Sequence, residues 1–202
     1  MIHTKQISSI ILAAGLSERM LYPKPLLNYN ENILFIEKII SEYQNFNCDE
    51  IIIVLNHTVL DKLSQRDRWK AIYNDNRVKI AINKYPENGR FGSIKIGVAA
   101  LKENNYCFIQ NCDNPFVNRG ILQMLSNSAA EADYIVPVYQ GRGGHPALIN
   151  SKIISKIMTH SEDDLDFRLL LAEFKKKNIE FDDDSILINI NNNNEYKKYF
   201  NQ

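Results

Sequence analysis

The chain has 202 residues with 24 basic and 24 acidic side chains, so its formal net charge at neutral pH is zero. Because it carries no basic block, nucleic acid is not an expected partner. No apolar run approaches the roughly 18 residues of a membrane-spanning helix, so we expect no membrane partner either. A hydrophobic fraction of 45% and a charged fraction of 24% are typical of a globular protein, and we expect residues 1–202 to form a single domain.

The first recognisable element is a short apolar run, residues 7–12, which has the length of one buried strand. Small residues, Ala13, Ala14 and Gly15, follow it and allow a close approach of the backbone to a ligand. Two cations, Arg19 and Lys24, come next without an acidic residue between them. A strand, a small-residue loop and cations in this order are typical of a polyphosphate site, because backbone N–H groups and positive side chains both bind phosphate oxygens.

The rest of the chain alternates between predicted strands and predicted helices. Continuous apolar runs predict buried strands, and apolar residues at helical spacing predict helices. The predicted strands are residues 7–12, 51–55, 78–82, 106–110, 134–138, 147–149 and 185–190. The predicted helices are residues 33–46, 58–66, 92–103, 121–132, 152–159, 166–177 and 195–200.

This alternation predicts an α/β fold, a Rossmann-like three-layer sandwich in which helices cover both faces of a mostly parallel sheet. The ligand site of such a sheet lies beyond the carboxyl ends of its strands. The candidate motifs all follow predicted strands, which agrees with that location.

The second candidate motif, residues 111–115, directly follows the strand 106–110. Asp113 stands at the end of the strand before a Pro-containing turn, where its carboxylate is well placed to hold Mg²⁺. From spacing alone, a turn-capping role for Asp113 is equally compatible with the pattern.

A third candidate, residues 83–97, is a glycine-containing loop that leads into a helix beginning near Ser93. The N-terminus of that helix offers free N–H groups to a ribose or a base edge. A Gly-Ser pair before a helix is common, however, and by itself indicates no function.

The fourth candidate, residues 141–146, combines three glycines with Arg142 and His145. Arg142 is suited to bind a second phosphate with two hydrogen bonds, whereas a single histidine is more often structural than catalytic. Farther along, Asp164 and Arg168 are four residues apart, which is also the spacing of an ordinary ion pair on a helix surface.

The residues that follow the first strand resemble the signature loop of the MobA-like nucleotidyltransferases, and within that family the molybdenum cofactor cytidylyltransferase branch most closely. The family pattern is L-A-A-G-x-S-x-R-M followed by P-K-x-L-L. This chain departs from it at Leu21, where the family usually has Gly. The matching residues are Leu12, Ala13, Ala14, Gly15, Ser17, Arg19, Met20, Pro23, Lys24, Leu26 and Leu27.

Later motifs resemble the family in the same order along the chain. Asn114 replaces the family's Gln in D-Q-P-x-V, and Asp166 and Phe167 replace small residues of D-x-G-[AS]-R. Near the carboxyl end, residues 189–191 take the place of D-[IV]-D/N-T, so the resemblance implies Asn191 as a second oxygen ligand of the metal. The other matching residues are Gly89, Ser93, Ile94, Gly97, Asp113, Pro115, Val117, Gly141, Gly144, His145, Pro146, Asp164 and Arg168.

The resemblance implies a fold of the nucleotide-diphospho-sugar transferase type and a role for each matched residue. Catalytic roles are implied for Arg19, Lys24 and Asp113, and Mg²⁺, with Mn²⁺ as the alternative, is the implied cofactor, held by Asp113 and Asn191. The implied nucleotide-binding residues are Leu12, Ala13, Ala14, Gly15, Ser17, Arg19, Lys24, Asn83, Gly89 and Ser93. The implied acceptor-binding residues are Arg142, Gly144, His145, Asp164 and Arg168.

The implied reaction transfers an NMP from an NTP to a phosphorylated acceptor with release of pyrophosphate. In the family the Ala form of the loop accompanies CTP, so Ala14 favours CTP and CMP transfer. A molybdopterin is the implied acceptor, and a molybdoenzyme or its maturation partner is a possible protein partner. Two alternatives stay open, namely a sugar or alcohol phosphate as acceptor and a non-catalytic nucleotide-binding or cofactor-chaperone module.

Two other nucleotide-binding classes do not fit the sequence. No G-x-G-x-x-G motif follows the first strand, which disfavours a nicotinamide oxidoreductase, and no G-K-[ST] occurs, which excludes a P-loop enzyme.

Three cysteines, Cys48, Cys107 and Cys112, form no C-x-x-C pair. Their odd number and the lack of a signal peptide predict a reducing, cytoplasmic environment.

Overall fold

The computed structural model describes residues 6–17, 20, 22–102 and 105–200. The strands are β1 (Ile7–Leu12), β2 (Asn28–Asn30), β3 (Ile33–Leu34), β4 (Ile51–Leu55), β5 (Val78–Ile82), β6 (Tyr106–Asn111), β7 (Tyr134–Tyr139), β8 (Arg142–Gly143), β9 (Ala147–Asn150) and β10 (Lys176–Glu180). The helices are α1 (Phe35–Phe46), α2 (His57–Ser64), α3 (Asp67–Tyr73), α4 (Gly89–Ala99), α5 (Arg119–Asn127), α6 (Ser151–Thr159), α7 (Phe167–Leu171) and α8 (Asn193–Phe200). Short 3-10 helices cover Lys24–Leu26, Pro86–Asn88 and Asp184–Leu187.

The main sheet has the strand order β10-β7-β9-β6-β1-β4-β5, and β8 pairs with β7 outside this path. Strands β6, β1, β4 and β5 are mutually parallel, as are β7 and β10, whereas β9 runs antiparallel between β6 and β7. The predicted α/β fold with a mostly parallel sheet is therefore confirmed. Leu12 at the end of β1 pairs with Asn111 on one side and Val54 on the other, so the loops after these strands meet at one edge.

Two apolar clusters cover the two faces of the sheet, because neighbouring residues in a strand point to opposite faces. Ile53 of β4 belongs to the cluster with helices α1, α2, α3 and α5, whereas Ile52 belongs to the cluster with α4, α6 and α7. Helix α4 approaches β1 closely at Gly97, where an added Cβ would lie 3.2 Å from Ile10 Cγ1 and from Val54 Cγ2. The result is the expected three-layer arrangement.

The carboxyl-terminal helix α8 is fixed to the rest of the molecule by aromatic side chains. The centre of the Phe200 ring lies 4.9 Å from the centre of the Phe35 ring and 5.6 Å from the centre of the Phe116 ring, on which it stacks. The hydroxyl of Tyr196 donates a hydrogen bond to the carbonyl oxygen of Asn28 (2.9 Å). These contacts hold the segment before α8, which includes Asn191, beside the ends of β1 and β6.

Two predicted elements near the carboxyl end are wrong. The predicted helix 166–177 ends at Leu171, and residues from Lys176 onward form the polar edge strand β10 beside β7. The predicted strand 185–190 is a 3-10 helix followed by an irregular segment. Its backbone bonds to the loop after β6 and not to a strand, since Ile190 N donates to Asp113 O (2.7 Å).

The other predicted elements differ from the structure mainly at their ends. Helix α4 begins at Gly89 rather than at residue 92, and the sequence did not predict α3 or the β2–β3 hairpin. The three cysteines are buried and free. None of the helices in the described part of the chain is long and apolar enough to cross a membrane.

Candidate active site

A cavity of about 450 Å³ lies beyond the carboxyl ends of β1 and β6, where the sequence analysis expected a site. The loop after β1, the N-terminal turn of α4 and the loop after β6 form its walls. It is lined by Leu12, Ala13, Ala14, Gly15, Leu16, Ser17, Lys24, Pro25, Pro86, Glu87, Gly89, Arg90, Ser93, Asn111, Cys112, Asp113 and Asn191. Most of the residues to which the sequence assigned nucleotide or metal binding are thus brought together.

The backbone of the small-residue loop is held against β4 and the start of α2. Ala13 N donates to Val54 O (2.9 Å), and Asn56 Nδ2 donates to Ala14 O (2.8 Å). Asn56 also caps α2, because its Oδ1 accepts a hydrogen bond from Val59 N (2.9 Å). Asn56 was not among the predicted site residues, although a polar residue between a buried strand and a helix is a recognisable helix cap.

Ser17 closes the turn that leads from this loop to Lys24. Its φ of 55° lies in the left-handed region, and its Oγ accepts a hydrogen bond from Lys24 N (3.0 Å). Ser17 therefore lines the cavity and also fixes the position of the Lys24 backbone. Arg19 and Leu21, which the sequence analysis singled out nearby, lie outside the described residues.

The ammonium group of Lys24 connects two segments that are far apart in the sequence. Lys24 Nζ donates to Asp113 Oδ2 (3.1 Å) and to Asn191 Oδ1 (2.7 Å). The two side chains of the Lys24–Asp113 ion pair are only 17% and 23% exposed, so water screens it less than a surface pair. Lys24, assigned from the sequence to phosphate, thus forms one cluster with Asp113 and Asn191, assigned to the metal.

A buried polar network fixes Asp113 relative to Asn191. The Asn114 side chain is fully buried, and its Nδ2 donates to the carbonyl oxygens of Ser185 (3.0 Å) and Ile188 (2.7 Å). Gln110 Nε2 donates to Asn114 O (3.0 Å), and the hydroxyl of Tyr43 donates to Gln110 Oε1 (3.0 Å). These bonds tie the loop after β6 to the segment before α8.

The chemistry of the cluster fits a hard divalent cation. Asp113 Oδ1 is buried and has no hydrogen-bond partner among the described residues. A bound cation would compensate the negative charge of this oxygen. The described residues contain no group of three or more His, Cys, Asp and Glu side chains suited to a metal. One carboxylate and one amide oxygen nevertheless suffice for Mg²⁺, which usually takes one or two carboxylates and completes its shell with water and substrate phosphates.

The third motif occupies one wall of the cavity. Gly89 and Ser93 line it, whereas Asn83 does not line it and is only 2% exposed. Asn83 Nδ2 donates to Ser93 Oγ (2.9 Å), and Asn83 Oδ1 accepts from Tyr85 N (2.8 Å). Asn83 borders an adjoining cleft of about 280 Å³ that Gly15, Asn56 and Pro86 also line. Its amide is thus already engaged within the protein.

A second, larger cavity of about 1080 Å³ adjoins the first. The two share Glu87, Gly89 and Arg90, at the beginning of α4. Four of the five residues that the resemblance assigned to the acceptor line this second cavity, namely Gly144, His145, Asp164 and Arg168. Aromatic side chains, Phe91, Tyr134 and Phe167, supply apolar surface.

His145 is held in place at the border of the second cavity. Its Nε2 lies 3.1 Å from Asn111 Nδ2, and its Nδ1 is buried without a partner among the described residues. Burial first, and then the positive charge of Arg90, lower the pKa of His145 to about 4, while Asp113 opposes the shift. The imidazole is therefore neutral near pH 7 and unsuited to acid–base catalysis there.

Gly144 is needed for packing next to His145. A Cβ added to Gly144 would lie 2.8 Å from the carbonyl carbon of Ile186 and closer still to its oxygen. Gly144 N donates to Pro137 O (2.8 Å), and His145 N donates to Ile186 O (2.9 Å). The glycine thus allows the segment 184–187 to lie against the loop.

Two acceptor residues are arranged differently from the expectation. Arg142 does not line the second cavity but a separate cleft of about 330 Å³ that Asp184 and Lys198 also line. Arg168 does not pair with Asp164 but with Asp166, whose Oδ2 lies 2.8 Å from Arg168 Nη2. The structure therefore does not bring Arg142 and Arg168 together on the acceptor side.

Comparisons with known proteins agree with this geometry. The family described as "MobA-like NTP transferase domain" matches residues 9–177. A "Probable molybdenum cofactor guanylyltransferase" of Clostridium perfringens (strain SM101 / Type A) is 32% identical over 136 residues, 67% of this chain and 61% of that protein. A protein of the same name from Bacillus cytotoxicus is 25% identical over 95% of both chains.

A solved structure shows the same fold over nearly the whole chain. The crystal structure of Rv0371c from Mycobacterium tuberculosis H37Rv has a TM-score of 0.79 with 17% identity, covering 98% of this chain and 99% of that one. The chain thus spans about three fifths of the Clostridium relative and nearly all of the Bacillus relative and of the solved structure. Both relatives are named for guanylyl transfer, so the expectation of CTP finds no support in their names.

Proposed function

We propose that this chain, which belongs to the MobA-like NTP transferase family, transfers GMP from GTP to the phosphate of a molybdopterin and releases pyrophosphate. The observation that carries the proposal is the junction of two cavities at the beginning of α4. One cavity contains the Lys24–Asp113–Asn191 cluster and the other contains His145 and the aromatic side chains. A nucleotide and a ring-containing acceptor can therefore bind side by side.

In this proposal the first cavity binds the nucleotide. The backbone of Ala14 and Gly15 and the N-terminal turn of α4 offer N–H groups, and the positive end of the helix dipole favours phosphate. Lys24 binds the triphosphate oxygens, and Arg19 of the same motif is assigned to them as well. Asp113 and Asn191 hold Mg²⁺, which neutralises the charge that develops on the triphosphate.

The reaction needs no general base from the protein. A phosphate monoester has a second pKa of about 6 and is largely a dianion at neutral pH. Its oxygen attacks the α-phosphorus, the bond from that phosphorus to the bridging oxygen breaks, and pyrophosphate leaves with the electron pair. The low pKa of His145 agrees with a positioning role. Catalysis then rests on placement and charge neutralisation, as in phosphoryl transfer generally.

GTP replaces CTP in the proposal for two reasons. The relatives are named guanylyltransferases, and the structure gives no steric reason for Ala14 to favour CTP over GTP. Ala14 is only 1% exposed and packs in the apolar cluster with Ile10 and Phe91. Its methyl group therefore takes little of the cavity and is a weak obstacle to a purine.

The test combines the purified protein with Mg²⁺, one nucleotide and one acceptor at a time. Pyrophosphate release and the product mass are measured for GTP, CTP and ATP with molybdopterin, and for GTP with sugar or alcohol phosphates. The proposal expects release with GTP and molybdopterin and a product heavier than the acceptor by one GMP residue. Faster turnover with CTP, or with another acceptor, contradicts it, and no turnover of any nucleotide indicates a binding module.

A further inference from the structure

The cation at the junction of the two cavities is Arg90, the second residue of α4. Glu87, Gly89 and Arg90 are the described residues that line both cavities, and Arg90 alone among these three is positive. Arg90 could not be predicted from the sequence, because no signature of the family resemblance includes it. Its position between the two proposed substrates nevertheless indicates a functional role.

Arg90 differs from the neighbouring cations in having no anionic partner. Lys24 is paired with Asp113 and Arg168 is paired with Asp166. Within the described residues, Arg90 forms neither an ion pair nor a hydrogen bond, and its Cζ lies 6.0 Å from the centre of the Phe167 ring. A planar cation over an aromatic face is held in orientation while its N–H groups stay available.

Charges from both cavities act on the same guanidinium. Partial desolvation lowers the pKa of Arg90, and the negative charges of Asp113 and then Asp166 oppose this shift. Asp113 belongs to the nucleotide cavity and Asp166 to the acceptor cavity, so the group lies within electrostatic reach of both. Arg90 also lowers the pKa of His145 in the acceptor cavity.

We propose that Arg90 is a catalytic residue that contacts the α-phosphate of the nucleotide and the attacking phosphate of the acceptor at the same time. The inference rests on the proposed function for the identity of the acceptor. A guanidinium has five N–H donors in a rigid plane, enough to bind two phosphate groups at once. The positive charge reduces the repulsion between the two anions and stabilises the charge spread over the transferring phosphoryl group.

The step that Arg90 assists is balanced without a proton from the protein. A P–O bond forms between the acceptor phosphate and the α-phosphorus, and the P–O bond to the leaving pyrophosphate breaks. Arg90 stays protonated throughout, since guanidinium does not lose its proton in proteins. Lys24 acts on the triphosphate from the segment that follows β1, so the two cations have separate tasks.

The experiment compares Arg90→Ala with Arg68→Ala. Arg68 is an exposed arginine on α3 that lines neither cavity, which makes it a matched control. Binding of Mg²⁺·GTP is measured by calorimetry, turnover by pyrophosphate release, and folding by thermal melting. We expect Arg90→Ala to bind Mg²⁺·GTP about tenfold more weakly and to lower kcat by about 10²–10³-fold, with a melting temperature equal to that of the control.

Chemical rescue separates a direct role from a structural one. Guanidinium added at a concentration below that which unfolds the protein is expected to restore part of the turnover of Arg90→Ala and to leave Arg68→Ala unchanged. Unaltered GTP affinity and turnover in Arg90→Ala overturn the inference, as does a loss that follows the melting temperature and is not rescued. If wild type binds Mg²⁺·GTP without any turnover, the proposed function fails, while the GTP affinities still decide the contact of Arg90 with phosphate.

Discussion

The ammonium of Lys24 lies 3.1 Å from Asp113 Oδ2 and also bonds to Asn191 Oδ1. The cation of the signature loop thus lies between the two side chains that the proposal assigns to Mg²⁺, while Asp113 Oδ1 has no hydrogen-bond partner among the described residues. A metal held by these side chains is repelled by the Lys24 ammonium, because like charges repel at short distance. We therefore expect Lys24 to turn toward the triphosphate when nucleotide and metal bind together.

Lys24→Met is expected to bind Mn²⁺ without nucleotide at least tenfold more tightly than wild type, because a competing positive charge is removed. A factor of ten corresponds to about 1.4 kcal/mol. Mn²⁺ titration followed by electron paramagnetic resonance measures the affinity, and Lys70→Met, on the exposed surface of α3, is the control. The same Lys24 variant should have lower turnover, since it lacks a triphosphate contact. Unchanged Mn²⁺ affinity would mean that the lysine does not occupy the metal position.

Gly144→Ala is expected to destabilise the fold by about 1–3 kcal/mol, because the added methyl group overlaps with the Ile186 carbonyl group and forces the two segments apart. Gly143→Ala is the matched control, since a Cβ at Gly143 meets no atom within 4 Å. Urea unfolding midpoints compare the two variants with wild type. Equal midpoints for both variants would show that the loop after β8 moves away at little cost.

The buried strands could be predicted from the sequence because their own residues determine them. Residues 51–55 are apolar without interruption, as a strand covered on both faces requires, and all are buried. The segment 185–190 is also rich in isoleucine, but its partners are the Asp113 carbonyl and the Asn114 side chain. Local pattern cannot show that such distant bonds replace a sheet ladder. The edge strand β10 was missed for the opposite reason, since its polar sequence KKNIE lacks the apolar pattern of a strand.

The residues of the candidate site could be predicted where they belong to a sequence motif, and the others could not. Lys24 and Asp113 are 89 residues apart, yet motif and topology together placed both beside one site, and the structure pairs them. Asn56 and Arg90 were missed because their roles depend on which loops and cavities meet in three dimensions. Arg142 was assigned to the acceptor by the family resemblance, but the β7–β8 hairpin places it in another cleft.

Asn114→Asp is expected to destabilise the protein by about 3 kcal/mol, because a carboxylate replaces the amide that donates to the Ser185 and Ile188 carbonyl oxygens. The buried negative charge then faces two acceptors. Asn178→Asp, an exposed change on β10, is the control and should leave the unfolding midpoint nearly unchanged. If Asn114→Asp is as stable as its control, the network does not fix the loop after β6.

The stability of the fold is expected to fall as the pH is lowered from about 6.5 to about 4. The folded-state pKa of His145 is about 4, below the ordinary value of 6.5, so the unfolded chain binds more protons within this window. Stability from this group is complete above pH 6.5 and is lost through the window, by at most about 3 kcal/mol at 1.36 kcal/mol per unit. His145→Gln should therefore flatten the pH dependence of the unfolding midpoint, whereas a change at the exposed His57 should not. Parallel curves for all three proteins would contradict this.

The most direct test of the account is pyrophosphate release by wild type and Asp113→Asn across a Mg²⁺ titration, with GTP and molybdopterin as substrates. The substitution keeps the size of the side chain and an oxygen, but removes the charge that the metal is proposed to need. We expect turnover to fall by about 10²–10³-fold, partial recovery at high Mg²⁺, and little change in the melting temperature without nucleotide. Equal rates for the two proteins at every Mg²⁺ concentration would show that Asp113 holds no catalytic metal and would contradict the account.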